Sequence, residues 1–316
     1  MTNTTSLTST RNVDFLNNQV NYSNLSSMIE QEENRKKKVN IISKVIIYTF
    51  LAIMAIVVLF PFYWMINTAL KSLDEIDQAV QTFVPNNWMW SNFVDAMNVG
   101  SFTAQLTNTV IVGVAGTIGT VIITILSAFA FARLEFKGKN AIFGVLLATM
   151  MIPGEMLVIT NFITVANVFQ LQDTLLALII PFMVSVFYIF LLRQNFKQIP
   201  NELYYAAKVD GTSDFKYLRR VMIPLAKSTI ITISILNLMG AWNSYVWPSL
   251  VNTTADKRLI SNWLRTAFSG QIGTETRTSY NLQMAAALII TAPLLLVYIF
   301  LRKYIMQSVS RSGIKG

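Results

Sequence analysis

Long apolar runs alternate with polar connections along this chain, and the runs set its architecture. They cover about Ile41 to Ile66, Thr109 to Ala132, Ala141 to Val165, Leu175 to Leu192, Ser228 to Val246 and Leu282 to Leu301. Each is near the ~20 residues that a helix needs to cross a bilayer. The third is interrupted by Pro153 and Gly154, which predicts a kink there. The pattern predicts an all-α, polytopic membrane protein with about six transmembrane helices. In the second run, Gly113, Gly116 and Gly119 recur on one face, where another helix can approach closely.

The polar segments orient these helices. Met1 to Ser27 is rich in Asn, Ser and Thr; Glu30, Glu32 and Glu33 follow, then Arg35, Lys36, Lys37 and Lys38. Residues 1–40 read as a polar cytosolic tail, at most a short helix, whose basic run anchors the first crossing. Residues 41–316 form the transmembrane domain. With the N-terminus inside, all but five of the 25 Lys and Arg fall on cytosolic segments, the exceptions being Lys71, Lys257, Arg258, Arg265 and Arg277. This bias predicts a multi-pass protein of the cell membrane with both termini in the cytosol. It also accounts for the net charge of +9 without a nucleic-acid partner. Only 13% of residues are charged and 53% are hydrophobic, where a soluble domain carries about 25% charged residues. The sequence contains neither Cys nor His, which excludes thiol chemistry, imidazole catalysis and the metal sites built on them. Residues 1–40 hold no apolar core of a signal peptide.

The connection at about 193–227 is the informative one. Pro200 and Asn201 can open a helix, with Glu202 in its first turn. Leu203, Ala206 and Ala207 give that helix an apolar, small-residue face. Asp210-Gly211 is a turn signal. Ser213 can cap a second helix, with Phe215, Leu218 and Met222 on its apolar side, and Pro224 ends it or bends the chain into the membrane. The expected product is a short helix-turn-helix on the cytosolic surface, shaped for a cleft in a partner.

This stretch resembles the cytoplasmic coupling loop of binding-protein-dependent ABC importer permeases. Ala206, Ala207, Asp210, Gly211 and Ile223-Pro224-Leu225 match that pattern in order and spacing, while Tyr205 replaces the family's Glu. The resemblance extends over roughly Leu59 to Gly316 and is strongest to the carbohydrate branch, the second permease subunit of maltose-type systems. It rests on Leu59 to Met65 with Lys71-Ser72, on Asn108-Thr109, and on Ala130 to Arg133 with Phe136 to Gly138. Met151 to Gly154, Leu191 to Gln194, Trp242-Asn243 and Gly313 to Gly316 complete it.

The resemblance implies a type I ABC importer-like permease fold and a subunit that forms the translocation path for a sugar or related solute. It implies a second permease subunit, a cytosolic ATPase dimer and an external substrate-binding protein as partners. No Gly-rich phosphate loop of the form G-x-x-x-x-G-K-[ST] occurs, so this chain is not expected to be an enzyme. ATP and Mg belong to the ATPase, and no cofactor or metal is expected here. Tyr205, Ala206, Ala207, Asp210, Gly211 and Pro224 are the expected ATPase-coupling residues.

Glu155 is the carboxylate well inside an apolar run, either a solute or gate contact or a structural group near the Pro153 kink. Trp242 and Asn243 are candidates for the translocation path, against an interfacial anchor and an interhelical hydrogen bond. Val251 to Tyr280 is expected outside, facing the binding protein, against a solvated loop with Trp263 at the interface. A secondary transporter would need more intramembrane ionisable residues than Glu155. A membrane receptor or scaffold would leave the coupling loop unexplained.

Overall fold

The structure, a computed structural model, describes residues 6–272 and 275–310; side chains are described for Glu32, Arg35, Lys36, 40–269 and 278–303. The chain divides into two units, one up to Trp64 and one from Met65. The first holds most of α1 (Ser6–Ala69), in which the polar tail is continuous with the first apolar run. From Asn40 to Trp64 no residue of this helix is buried. A helix that is hydrophobic on all sides is suited to lipid rather than water.

The second unit runs in order through α2 (Leu73–Ile76), α3 (Ser91–Met97), α4 (Phe102–Arg133), α5 (Lys139–Thr149), α6 (Val158–Ile163), α7 (Leu176–Ile179) and α8 (Val186–Gln198). It continues through α9 (Asn201–Val209), α10 (Asp214–Tyr217), α11 (Ile223–Leu225), α12 (Lys227–Trp242), α13 (Val246–Val251) and α14 (Ile260–Thr266). A small antiparallel hairpin, β1 (Ser269–Ile272) with β2 (Glu275–Thr278), pairs Ser269 with Thr278 and leads into α15 (Tyr280–Ser310).

Among the described residues three helices are long and apolar enough to cross a membrane unbroken, within α1, α4 and α15; three bent pairs bring the number to six if each is one span. The bends fall where the backbone is weakest. Pro153 and Gly154 separate α5 from a 3-10 turn and α6, with a bend of 86°. Pro181 lies in a 3-10 turn between α7 and α8, which meet at 46°. The arm from Asp214 to Leu225 meets α12 at 80°.

α4 is the spine. A Cβ added to Gly113 would lie 2.9 Å from Leu238 Cδ1 of α12, and Gly119 faces Met183, so the small-residue face is used at two of its three positions. Gly116 opens on free space.

A cap closes the Phe102 end of α4. Phe102, Trp242, Ile260, Trp263, Ala285 and Ala286 form one buried cluster. Trp263 Nε1 donates to Val99 O at 2.7 Å and Ile260 N to Thr109 Oγ1 at 2.8 Å. Asn92 Nδ2 donates to Ala69 O and Lys71 O. The connection Val251 to Tyr280 is therefore folded around α14 rather than an open loop, and Trp263 is core, not interfacial. The side chains of Glu275 and Arg277, and the closing Gly313 to Gly316, lie outside the described residues.

Candidate functional site

The segment 193–227 folds as the expected helical hairpin. α9 ends in a two-bond C-cap: Thr212 N donates to Ala207 O at 2.8 Å and Gly211 N to Lys208 O at 3.0 Å. That arrangement requires a left-handed residue just past the helix, and Gly211 supplies φ +68°. A Cβ at Gly211 would meet nothing within 4 Å, so the demand is conformational and not steric. Ser213 Oγ then accepts from Lys216 N and starts α10.

A polar clasp joins the two arms. Tyr204 Oη donates to Asp214 Oδ1 at 2.8 Å, and Lys208 Nζ lies 2.7 Å from the same oxygen. The Lys208 ammonium, then the Tyr204 hydroxyl, hold the Asp214 carboxyl below the usual carboxylate range. Lys208 is pushed up in turn, chiefly by Asp214. Beneath the clasp the Tyr204 and Tyr217 rings meet edge to face at 5.1 Å.

The hairpin is rooted in the bundle by arginine. Arg133, the last residue of α4, is buried; its Nη2 donates to Phe196 O and Ile199 O at the end of α8, and its Nη1 to Asn201 Oδ1 at the start of α9. One guanidinium thus grips two helix termini with its planar fork. Arg193 returns the tie: Nε donates to Phe131 O, and its guanidinium lies 3.9 Å above the Phe143 ring. Sequence reasoning counted both arginines as cytosolic charges and as parts of the family motifs, without a structural partner for either.

Of the expected coupling residues, Tyr205, Ala206, Asp210, Gly211 and Pro224 are exposed. Ala207 is half-buried against the cluster of Leu192, Phe196 and Tyr217. The outward face of α9 is therefore Glu202, Leu203, Tyr205, Ala206 and Val209, with Val209 at 88% exposure.

The three translocation candidates are not brought together. Glu155 sits exposed on the 3-10 turn Gly154–Leu157. Trp242 is buried in the cap, its Nε1 without a hydrogen-bond partner among the described residues. Asn243 is exposed and donates to Met239 O of its own helix, not to another. A cavity of about 400 Å³ opens elsewhere, between α4, α7, α8, α12 and α13. Its polar lining is Ser185, Tyr188, Asn237 and Ser244, beside the rings of Phe182 and Trp247. Asn237 Nδ2 donates to Thr120 Oγ1 on α4, and Trp247 Nε1 to Ala177 O. An Asn inside an apolar helix was the available signal for this site. No charged side chain lines it.

The bundle, its broken spans and the rooted hairpin define a polytopic helical membrane protein. Comparison with known proteins gives the family. Residues 120–311, more than half of the chain, match the model of the binding-protein-dependent transport system inner membrane component. This chain belongs to that family.

A probable ABC transporter permease protein of Mycoplasma pneumoniae, the MG189 homolog, is 32% identical over 87% of this chain and 89% of its own length. The diacetylchitobiose uptake system permease protein NgcG of Streptomyces coelicolor is 28% identical over 84% of this chain and 86% of its own. A bacterial ABC transporter involved in the import of the acidic polysaccharide alginate shares the fold, with a TM-score of 0.75 and 23% identity over 83% of this chain and 96% of that one.

Proposed function

We propose that this chain is one of two permease subunits of an ATP-driven saccharide importer, and that the hairpin at about 193–227 couples it to a cytosolic ATPase dimer. The observation that carries the reading is the hairpin itself. It presents an exposed, mostly apolar face on α9, is closed by Gly211, and is rooted by Arg133 in the unbroken helix α4. Tyr205, Ala206, Asp210 and Gly211 would meet the ATPase; Ala207 and Pro224 would hold the hairpin's shape. ATP and Mg would be bound by the ATPase, whose closure would move the hairpin and shift the bundle between two states. In this arrangement residues 1–40 are a cytosolic tail, 41–316 the membrane domain, and both termini are cytosolic. The cap, including Val251 to Tyr280, then faces the external binding protein.

The cavity supports the solute class. Aromatic faces with neutral hydrogen-bonding groups suit sugar rings. A lining without Lys or Arg favours a neutral saccharide, as in the relative named for diacetylchitobiose, over an acidic one. Asn237, Tyr188 and Ser244 are better candidates for solute contact than Glu155, Trp242 or Asn243.

The test is co-purification of the ATPase subunits with wild-type chain and with Ala206→Trp, alongside transport in vesicles. The variant should remain inserted and paired with the second permease, yet lose the ATPase or its coupling. Normal attachment and transport by Ala206→Trp would sink the coupling assignment.

A further inference from the structure

The two arms of the hairpin present different chemistry. The outward face of α9 is mostly apolar, with Leu203, Tyr205, Ala206 and Val209; Glu202 is exposed in its first turn, and Lys208 is tied to Asp214. The second arm, Asp214 to Leu225, carries Phe215, Lys216, Arg219 and Arg220 outward, with Phe215 at 67% exposure, while Tyr217, Leu218 and Met222 are buried beneath it. The arm lies at 80° to α12. If α12 crosses the bilayer, as the importer reading requires, the arm runs along the membrane surface. Three exposed cations are costly in hydrocarbon and agree with that placement.

Phe215, Lys216, Arg219 and Arg220 alone line a surface notch of about 460 Å³. A π turn over Leu218–Met222 shapes the arm at this point. Among the described residues no carboxylate pairs with any of the three cations. Asp214, the arm's own carboxylate, is held by Lys208 and Tyr204. Guanidinium groups are suited to phosphate oxygens, and an exposed Phe beside them suits the headgroup–acyl boundary.

We propose that this notch binds the headgroup of an anionic phospholipid and holds the second arm against the membrane while α9 engages the ATPase. The anchored arm would give the hairpin a fixed support, so that a pull on α9 is delivered to α4 and α12.

The experiment uses the complete importer, wild type and K216Q/R219Q/R220Q, in nanodiscs of phosphatidylcholine mixed with phosphatidylglycerol. After re-extraction, retained phosphatidylglycerol is measured by mass spectrometry and the ATPase subunit is quantified in the same sample. Wild type should be enriched in phosphatidylglycerol over the bulk lipid. The triple variant should lose that enrichment at least tenfold, from about fivefold per charge, and keep its ATPase. R219K/R220K should retain most of it.

Equal enrichment in the triple variant overturns the proposal. So does loss of the ATPase with enrichment unchanged, which assigns the face to a protein partner. Competition by inorganic phosphate assigns it to a free anion and also overturns the lipid site. Should the variant not assemble, wild type decides: enrichment that falls with rising salt supports the site, and salt-independent enrichment overturns it. A wild-type sample without any ATPase would count against the importer reading, and lipid enrichment is scored separately.

Discussion

At the Phe102 end of α4 the chain is closed by apolar burial across long stretches of sequence. Trp263 reaches back to Val99, and Phe102 packs on its ring at 4.9 Å. At the Arg133 end the hairpin is closed by polar ties between near neighbours: Tyr204 with Asp214, Lys208 with Asp214, Thr212 with Ala207. The long-range polar grip there is arginine on carbonyl oxygens, Arg133 on Phe196, Ile199 and the Asn201 side chain and Arg193 on Phe131. Buried area is non-directional and large, so the cap carries stability. Hydrogen bonds are directional and individually small, so the hairpin holds a shape and transmits it.

The comparison is broken most severely at Trp263. Trp263→Ala should cost about 3–5 kcal/mol, since it empties the centre of the cap and leaves Val99 O unpaired. Thermal unfolding of the purified chain in detergent checks this; a cost below about 1 kcal/mol would mean the cap is not the stabilising end. Transport and ATP hydrolysis should fall together, in proportion to folded protein.

Arg133 comes next. Arg133→Gln abandons three acceptors and should cost about 2–3 kcal/mol, felt at the junction of α8 and α9. Here the two readouts should separate: hydrolysis persists while transport per ATP falls about tenfold or more, a change in coupling of about 1.4 kcal/mol. Arg133→Lys should recover part of the loss, because it keeps the charge but not the fork. Proportional loss of both activities would show that Arg133 only stabilises the fold.

Gly211 refines the point further. Gly211→Val should cost roughly 1–2 kcal/mol through its left-handed backbone. Gly211→Asn, which tolerates that conformation, should couple almost normally. Because nothing lies within 4 Å of a Cβ there in this chain, any failure of Gly211→Asn would reveal a steric contact with a partner.

The smallest effect belongs to the clasp. Asp214 is held below its ordinary value, so its stabilisation is present above about pH 4 and is lost as pH falls through the lowered value. Lys208 is raised, so its share is present below about pH 10.4 and is lost as pH rises through the raised value. Both groups are solvent-accessible, so water and salt screen the ion pair and its contribution is small. Asp214→Asn should flatten the acid limb of hairpin hydrogen exchange; an unchanged profile would remove the clasp from the account.

Much of this was legible in the sequence. Apolar run length gave the crossings, Pro153 the sharpest bend, and Asp210-Gly211-Thr-Ser213 both the turn and the next cap. These signals are local, written within a few residues of where they act. What escaped is tertiary. An arginine at a helix end looks the same whether it meets water or grips two other helices, so Arg133 read as a cytosolic charge and part of a family motif, without a structural partner. For Trp263 the short, polar run left an interfacial place as the alternative, yet it is buried by Phe102, far away in sequence. Ala207 was placed outward with Ala206, although adjacent helix positions point about 100° apart. Asn237 passed unnoticed because its helix carries other small polar residues, Thr229, Thr232 and Ser234, and nothing local marks which of them faces a cavity.

The root at Arg133 has a mechanical consequence. α4 has 32 residues and no break, so it is a rod of about 48 Å. Val112, on the wall of the cavity, sits roughly 32 Å along it from Arg133. Tilting such a rod by about 5° about its gripped end sweeps the cavity wall through roughly 3 Å, the width of a water molecule. A lever of that length turns a displacement too small to break the Arg133 hydrogen bonds into one large enough to open or shut a passage.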